Sequence, residues 1–357
     1  MTYDVEVAGL GVSGSLLALR LAERGFRVLA YEPVQRYEKA CGEQITLEPR
    51  IEGLVRSLDV IKTIVRSVDV YVDGALVTTV ELKGSPRWAI VDKPRLVNEL
   101  RKEAERAGVS VVRSVWKGLR QAAIAVDARG PYTVVGRGPT VLALRLIARV
   151  SRWNPEEAWL DFRPSQGGLY WVFPYDADGK LINAGVGLLG VNDVDRLRGL
   201  AISYLKERLG EADVIDYKGA PIAAFAHLRL ASGRDFWVGE AAGLVMAWSG
   251  EGNRPALLSS LALSEAIGKV GVEDHVNIRV AYERSVGDLA KMATVARALT
   301  LAAVSMRSSG ELMTAAPKWF WESYVKQDIS QAGVLRALVS ALRAASNRSQ
   351  ADQPRGR

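Results

Sequence analysis

Cysteine and histidine are almost absent from this chain, and their scarcity excludes several kinds of site. Cys41 is the only cysteine among 357 residues, so no internal disulfide framework can form and no cysteine set can bind a metal. The two histidines, His227 and His275, have no partner residue at the spacing of metal ligands. We therefore predict that the protein has no metal site.

Long apolar runs are also missing from the sequence. No window of about 18 residues is uninterrupted by polar residues, which argues against a membrane-spanning helix. The chain enters a strand pattern directly, without the charged lead and apolar run of a signal peptide. We expect a cytoplasmic protein, either free or associated with a membrane at its surface.

The charge balance is basic, with a formal net charge of +7. Such a balance attracts phosphate-bearing partners, including dinucleotides and anionic lipid headgroups. Lysines and arginines do not cluster with aromatic residues in the manner of nucleic-acid-binding surfaces, so no nucleic-acid partner is predicted. An ordinary solvated basic surface is the alternative explanation of the charge.

The N-terminal segment carries a strand–turn–helix–strand pattern. A strand over Tyr3–Ala8 is followed by the glycine-rich run Gly9–Gly14, and apolar spacing predicts a helix from Ser13 to Arg24. A second strand, Phe26–Tyr31, ends at the carboxylate of Glu32. This complete order of elements is typical of a dinucleotide-binding fold, whereas a glycine run alone often reflects only packing.

Each glycine of this pattern, and the carboxylate at its end, has a physical role in dinucleotide binding. Gly9 permits the tight turn, Gly11 lets the backbone approach a pyrophosphate, and Gly14 lets the helix pack closely on the sheet. Amides at the helix start, around Ser13, face the phosphates with the positive end of the helix dipole. Glu32 is placed to accept hydrogen bonds from ribose hydroxyls.

A second glycine-rich segment lies far along the chain. The strand Phe236–Val238 leads into Gly239–Gly243, and the loop Ser249–Pro255 precedes a predicted helix over Ala256–Gly268. In a flavin site, Glu240 would bind ribityl hydroxyls and the amides before the helix would face the N1/O2 edge of the ring. An ordinary glycine loop before a helix is the alternative.

The rest of the sequence predicts an α/β fold of several parts. A Rossmann-like FAD-binding domain is followed by a mixed β-sheet substrate domain with a hairpin at Ala177–Gly179, and by a C-terminal helical segment. We predict a helix over Leu47–Val65 and a strand over Gly219–Leu230. The predicted boundaries are 1–136 plus 231–270 for the FAD-binding domain, 137–230 for the substrate domain, 271–346 for the helical region and 347–357 for a disordered tail.

Four motifs, in order along the chain, resemble those of the geranylgeranyl reductase family, within the flavoproteins of para-hydroxybenzoate hydroxylase type. The run Gly9–Gly14 with Glu32 is similar to the FAD fingerprint of that family. Lys39–Glu43 is similar to its Lys-x-Cys-Gly segment, and Trp171–Pro174 to its Trp-x-Phe-Pro motif. Gly239–Gly243, with the glycines that follow, is similar to its Gly-Asp motif. The resemblance extends from residue 1 to about residue 270.

The chain departs from the family pattern at several positions. Glu240 stands where the family usually has aspartate, and Lys93 stands where an arginine commonly contacts FAD. The usual Asp-Gly pair is stretched to Asp127–Gly130, and Leu169 replaces an expected aromatic residue. These departures are compatible with FAD binding and leave the substrate open.

The resemblance implies a function and a set of partners. Family members saturate isoprenoid double bonds, notably in geranylgeranyl chains of archaeal lipids, with a hydride from reduced FAD and a proton from an acid. The implied partners are an isoprenoid lipid substrate and an electron donor, NAD(P)H or ferredoxin. Two other functions stay open: an FAD-dependent monooxygenase acting on an aromatic or apolar substrate, and a non-catalytic flavin or lipid carrier.

The candidate site residues follow from the motifs and the resemblance. Cys41 is the candidate catalytic residue, because it would position substrate or relay a proton, and the alternative is a small buried loop residue. The candidate walls of an apolar substrate pocket are Trp171, Phe173, Met246 and Trp248, although such aromatic residues are often only core. The candidate cofactor-binding residues are Gly9, Gly11, Ser13, Gly14, Glu32, Pro33, Lys39, Cys41, Gly42, Lys93, Asp127, Gly239, Glu240, Gly250, Gly252 and Asn253.

The aromatic segment Lys318–Tyr324 has two interpretations. Its indole rings suit the interface of a membrane surface, which allows peripheral contact with a membrane. Packing against the flavin-binding domain is the other interpretation.

Overall fold

The computed structural model describes most of the chain, and what it describes forms two compact units. The described residues are 2–84, 87–118, 121–134, 138–306 and 309–351, without the side chains of residues 331 and 344–351. The first unit contains Met1–Ile61, Val91–Val141 and Ala220–Arg297, and the second contains Lys62–Ile90, Leu142–Gly219 and Ala298–Arg357. Residues 62–90, predicted within the FAD-binding domain, therefore fall in the second unit.

Strands predominate up to Trp237, with four helices between them, and helices follow from Asn253 onward in the described residues. The strands are β1 (Tyr3–Ala8), β2 (Val28–Tyr31), β3 (Gln44–Leu47), β4 (Ile61–Val65), β5 (Ser67–Val72), β6 (Ala75–Glu81), β7 (Arg87–Val91), β8 (Ser110–Val112), β9 (Ala122–Asp127), β10 (Val141–Arg149), β11 (Glu157–Arg163), β12 (Gly168–Pro174), β13 (Leu181–Leu189), β14 (Asp213–Ile222), β15 (Ala231–Ser232) and β16 (Asp235–Trp237). The helices are α1 (Val12–Ala22), α2 (Pro49–Ser57), α3 (Lys93–Arg106), α4 (Val194–Leu209), α5 (Asn253–Val270), α6 (His275–Ser285), α7 (Gly287–Ser305), α8 (Ser309–Thr314), α9 (Lys318–Lys326) and α10 (Gln331–Ala351). The predicted α/β fold class is confirmed.

A six-stranded sheet of order β15-β16-β9-β1-β2-β8 forms the centre of the first unit. Its central strand β1 is buried from Val5 to Ala8, and it runs parallel to both β2 and β9. Ala8 at its end lies opposite Tyr31 on one neighbour and Asp127 on the other. The carboxyl ends of three strands therefore meet at one edge of the sheet, where ligands of doubly wound α/β folds bind.

Helix α1 packs between α3 and α5 in this unit, and small side chains allow the close approach to α5. The buried Ser260 hydroxyl donates a hydrogen bond of 2.8 Å to the carbonyl of Ser13. This hydrogen bond joins α1, which starts in the first glycine-rich segment, to α5, which follows the second.

The predicted helix over Leu47–Val65 is wrong. Only α2 is helical there, and Asp59, with φ of 50°, leaves the helical conformation soon after its end. The following β-branched run Ile61–Val65 forms β4, because its side chains suit a pleated surface better than a helix.

A seven-stranded mixed sheet of order β14-β10-β13-β12-β11-β5-β6 dominates the second unit. Strand β11 runs parallel to β5 and antiparallel to β12. The predicted hairpin at Ala177–Gly179 is confirmed, since β12 and β13 flank it and pair antiparallel. The predicted strand over Gly219–Leu230 lies too far along the chain: β14 ends at Ile222, and the sequence analysis did not identify the preceding helix α4.

The two faces of β12 serve different purposes. Tyr170 and Val172 belong to an apolar cluster that includes Leu197 and Leu205 of α4. Because side chains alternate along a strand, the predicted site residues Trp171 and Phe173 point to the opposite face. There, Gly185 on β13 is the register partner of Trp171, and the indole lies where a side chain at position 185 would be.

Helices α8, α9 and α10 belong to the second unit, whereas α6 and most of α7, predicted in the same C-terminal region, belong to the first. The rings of Trp321 and Tyr324 on α9 both lie 5.5 Å from that of Phe162 on β11, so the aromatic segment packs within this unit. Helix α10 extends through Ala351, into the stretch predicted as a tail from residue 347, whose remainder at 352–357 lies outside the described residues.

Substitution of Gly185 tests this packing. In Gly185→Ala the new Cβ would stand 2.2 Å from the carbonyl oxygen of Leu144 and 2.2 Å from the Trp171 ring. We expect the free energy of unfolding to fall by about 1–3 kcal/mol or more, measured by urea denaturation. Gly199→Ala in α4 is the control: a Cβ there meets nothing within 4 Å, so it should stabilise by roughly 0.5–1 kcal/mol. Equal effects of both substitutions would contradict the packing.

Candidate functional site

The turn between β1 and α1 shows why glycine stands at each of its three positions. Gly9 has a φ of +89°, and a Cβ on Gly14 would lie 1.9 Å from the carbonyl oxygen of Gly9. Gly11 is different, because a Cβ there would meet nothing closer than the Tyr37 ring at 3.9 Å. The backbone therefore requires Gly9 and Gly14, while Gly11 leaves open space beside the turn.

The N-terminus of α1 opens onto the same space. Gly11 is the N-cap residue, no side chain caps the helix within the described ranges, and its first turn contains no acidic residue. The positive end of the helix dipole and the amides of the first turn therefore favour an anion at this place.

Glu32 lies at the carboxyl end of β2 and is held by three donors. Its Oε2 accepts from the amide of Leu10 at 2.8 Å and from the guanidinium of Arg101 at 2.8 Å, and its Oε1 accepts from the amide of Val34 at 2.9 Å. A carboxylate has about four acceptor positions, so one position on Oε1 is left for a further donor.

Arg101 is the functional residue that sequence reasoning missed. It is 4% exposed and its Nε donates a hydrogen bond of 2.6 Å to the carbonyl of Leu10, so the pair with Glu32 holds both backbone groups of Leu10. Burial lowers the pKa of Arg101, and the Glu32 carboxylate opposes that shift. The sequence does carry one signal for its burial. Arg101 lies four residues after Val97 and three before Ala104, which is the spacing of the core-facing side of α3.

The second glycine-rich segment joins the first one within the first unit. Gly239 has a φ of +59°, and a Cβ on it would lie 2.9 Å from the Ser13 hydroxyl. The following carboxylate, Glu240, forms an ion pair of 3.0 Å with Lys39 and accepts from the amide of Ala223 at 2.8 Å. Both residues of this ion pair, predicted separately as cofactor-binding residues, therefore lie together.

Lys93 and Cys41 also lie together, although they are 52 positions apart in a chain of 357 residues. Lys93 is 6% exposed at the start of α3, where the Cys41 and Tyr37 side chains lie close enough to act on the charge of its ammonium. The amide of Glu43 donates to Cys41 Sγ at 3.1 Å. Burial alone would lower the pKa of Lys93, but Cys41 and Tyr37 outweigh it, so the pKa is raised and the amine is held protonated.

The start of α5 differs in detail from the expectation. Gly252 is its N-cap, but the amide of Arg254 already donates to the Glu251 carboxylate at 3.0 Å. The Asn253 amide side chain donates to the carbonyl of Gln44 at 3.0 Å, and so ties α5 to β3. Not every amide between 252 and 254 is therefore directed at a ligand.

All the predicted cofactor-binding residues belong to the first unit. Asp127 is occupied by Arg129, whose guanidinium binds it at 2.8 Å and whose amide donates to it at 3.1 Å. Pro33 is exposed, and Gly42 is half-buried in the loop that holds Cys41.

The predicted substrate residues are divided between the units. Met246, 1% exposed, packs against Ala293 and Ala296 of α7, with Trp248 beside this cluster in the first unit. Trp171 and Phe173 lie in the second unit with ring centroids 6.5 Å apart. Each of the four is placed in apolar surroundings, and the two on β12 share one face.

Two residues near Trp171 and Phe173 escaped the sequence analysis. The Trp88 ring meets Phe173 edge-on at 6.0 Å, and the buried Asn183 side chain accepts from the Trp171 indole at 3.1 Å. Phe173 therefore contacts two other aromatic rings, each 9% exposed or less, and the Trp171 indole is fixed by a hydrogen bond. Among the described residues, no group of three or more His, Cys, Asp or Glu side chains could hold a metal ion.

Comparison with known proteins agrees with a dinucleotide-binding first segment. Residues 4–112 match the family of the NAD binding domain of 6-phosphogluconate dehydrogenase, which covers a minority of the chain. No curated protein matches the sequence.

Solved structures share the fold over nearly the whole chain. A geranylgeranyl bacteriochlorophyll reductase-like protein of Thermoplasma acidophilum is 17% identical, with 98% of each chain covered and a TM-score of 0.79. The flavin-dependent brominase Bmp2 is 16% identical, with 98% of this chain and 100% of that one covered and a TM-score of 0.71. PqsL of Pseudomonas aeruginosa, "a probable FAD-dependent monooxygenase", is 18% identical, with 85% and 97% covered and a TM-score of 0.63. The chain thus has the fold of these flavin-dependent proteins.

Removal of Arg101 tests the ion pair. Arg101→Met would leave the buried Glu32 carboxylate without its counter-ion, so we expect the free energy of unfolding to fall by roughly 3–5 kcal/mol in urea denaturation. Arg106→Met, on the same helix, removes an exposed pair with Glu103 and should cost less than about 1 kcal/mol. Similar losses for the two variants would show that the buried pair has no special role.

Proposed function

We propose that the first unit binds FAD. The observation that carries the proposal is the turn at Gly11. The space beside this glycine is open, so the protein could accommodate a side chain there, and the uncapped N-terminus of α1 favours an anion in that space. A pyrophosphate fits both features. Glu32 has an acceptor position left for a ribose hydroxyl, and its short distance to the turn suits the adenosine half.

The second glycine-rich segment suits the flavin half. Glu240 uses one acceptor position on each carboxylate oxygen, for Ala223 and Lys39, and keeps others for ribityl hydroxyls. Lys39 adds a positive charge beside it. The residues that differ from the family pattern, Glu240 and Lys93, are therefore compatible with the cofactor in charge and in hydrogen-bonding capacity.

On this basis we infer an FAD-dependent reductase that saturates carbon–carbon double bonds of isoprenoid chains, with a lipid as substrate. When bound and reduced, FAD supplies a hydride to one alkene carbon. The other carbon needs a proton, and Cys41 is the proposed residue to relay it, while the buried Lys93 stays protonated and holds a positive charge beside the thiol. The resulting addition of one hydride and one proton balances for each double bond.

An isolated alkene offers no hydrogen-bonding handle, so apolar area must provide recognition. The rings of Trp88, Phe173 and Trp171 in the second unit, each 9% exposed or less, are the proposed apolar lining. At about 25 cal/mol per Å² of apolar surface removed from water, a long isoprenoid chain gains affinity without any polar contact. NAD(P)H or ferredoxin is the proposed electron donor.

A second candidate is an FAD-dependent monooxygenase for an aromatic or apolar substrate. The similarity in fold to Bmp2 and to PqsL favours it, because those proteins are named for flavin-dependent halogenation and oxygenation. The aromatic face of β12 would suit such a substrate equally well. A non-catalytic flavin or lipid carrier is the third candidate. It would differ from the two enzymes in that no electron donor reduces its bound flavin.

The chemical proposal is tested without oxygen. Purified protein with chemically reduced flavin is mixed with a geranylgeranylated phospholipid, and flavin absorbance and lipid mass are followed together. We expect flavin reoxidation together with a gain of hydrogen pairs in the lipid. At equal flavin content, Lys93→Met should lower the rate by about 100-fold, because the proton relay through Cys41 would lose the charged group that positions it and such relays contribute about 10²–10⁴-fold.

Lys102→Met, an exposed change on the same helix, is the matched control and should leave the rate unchanged. Flavin that stays reduced until air enters would contradict the reductase and favour the monooxygenase.

Cofactor binding is tested by Gly11→Ala. Gly11 has a φ of −77°, which alanine adopts readily, so we expect the unfolding midpoint of the flavin-free protein to be unchanged. The added methyl group occupies the space left for the pyrophosphate, so the purified variant should lack flavin absorbance. Gly53→Ala, whose Cβ meets nothing within 4 Å, should keep its flavin. A Gly11→Ala protein that retains FAD like the wild type would overturn the placement.

A further inference from the structure

Helix α10 has one buried face, which attaches it to the second unit. Val334, Ala337 and Ala341, spaced by three and four residues, are 7% exposed or less. They face the contacts that α10 makes with α8 and α9. This face holds the helix in place, but it does not explain which residues lie on the other faces of the helix.

A second apolar face of α10 is exposed. Leu335, Leu338, Val339 and Leu342 are 63%, 42%, 47% and 50% exposed, and their spacing of i, i+3, i+4 and i+7 forms one continuous stripe. Isolated exposed leucines are ordinary, but four large apolar side chains on one stripe usually mark an interaction site.

Arginines line one side of this stripe. Arg336 and Arg343 each follow an exposed leucine, which turns them about 100° around the helix at 3.6 residues per turn. Arg336 also lies over the ring of Trp319, 5.8 Å from its centroid, and Trp319 is 38% exposed. The helix sequence 331–351 contains three arginines and no aspartate or glutamate.

We propose that the exposed stripe of α10 docks onto an anionic lipid surface. Leucine side chains enter the acyl boundary, the arginine head groups reach phosphates while their stems cover apolar surface, and an exposed tryptophan suits the headgroup level. The net charge of +7 attracts the whole chain to the same surface. Within the described residues no helix is long and apolar enough to cross a bilayer, so the contact is peripheral.

Charge argues against a second copy of this chain as the occupant. Two copies of α10 packed through the stripe would bring their arginines together, and the helix supplies no carboxylate to pair with them. Phosphate headgroups supply that negative charge. The inference rests on α10 alone and does not depend on the cofactor or on the proposed reaction.

Vesicle sedimentation tests the proposal with the full-length protein. Binding to vesicles of phosphatidylglycerol is compared with binding to phosphatidylcholine, for the wild type and for Leu338→Gln/Leu342→Gln. We expect binding to the anionic vesicles, little to the neutral ones, and a loss of about tenfold or more in the double variant. Arg336→Gln/Arg343→Gln should weaken binding and reduce its dependence on salt.

Two double variants serve as controls in the second unit. Leu76→Gln/Ile215→Gln removes two leucine-sized side chains that are 56% and 49% exposed elsewhere, and Arg149→Gln/Arg152→Gln removes the same charge from exposed positions. Both should bind like the wild type. Three outcomes would each overturn the proposal. The controls could lose as much binding as the α10 variants, or the α10 variants could bind like the wild type. The third outcome is a wild-type dimer that only the Leu338→Gln/Leu342→Gln variant converts to a monomer.

Discussion

The buried ion pair of Glu32 and Arg101 is the interaction on which the candidate site depends. Glu32 receives the amide of Leu10, and Arg101 donates to the carbonyl of the same residue, so the peptide groups between Gly9 and Gly11 are held from both sides. A turn fixed in this way presents the N-terminus of α1 without reorganisation when an anion arrives. The pair also joins β2 to α3, which carries Lys93 at its other end. Helix α3 therefore positions both the turn at Gly11, through Arg101, and the Lys93–Cys41 pair.

Much of the first unit could be predicted from the sequence because local and long-range signals agree there. The alternation in Tyr3–Ala8 and the stop at Gly25 define β1 and the end of α1 closely. Lys39, Cys41, Lys93 and Glu240 were each recognised by motif. What the sequence could not predict is their pairing, because Lys39 meets Glu240 across 201 positions of chain through folding alone.

The failures of prediction also have physical causes. Apolar periodicity in Leu47–Val65 favours a helix until the β-branched run at its end is weighed, and that run pairs in a sheet. Arg101 was not predicted because a charged residue on a helix is normally exposed to solvent. This arginine occupies a core position, where the carboxylate of Glu32 neutralises its charge. Gly185 carried no signal by itself, since its role appears only when Trp171 lies across it. Position within a tertiary contact, more than residue type, decides the cases of Arg101 and Gly185.

The central claim is that the turn around Gly11 accepts the pyrophosphate of FAD, and binding to flavin-free protein tests it most directly. Calorimetric titration would compare FAD with NAD⁺, since residues 4–112 match an NAD binding domain while the whole fold matches flavin-dependent proteins. The account predicts that one FAD binds per chain and that NAD⁺ binds far more weakly, because NAD⁺ has no ribityl chain for Glu240. Tight binding of NAD⁺ with no binding of FAD would contradict it.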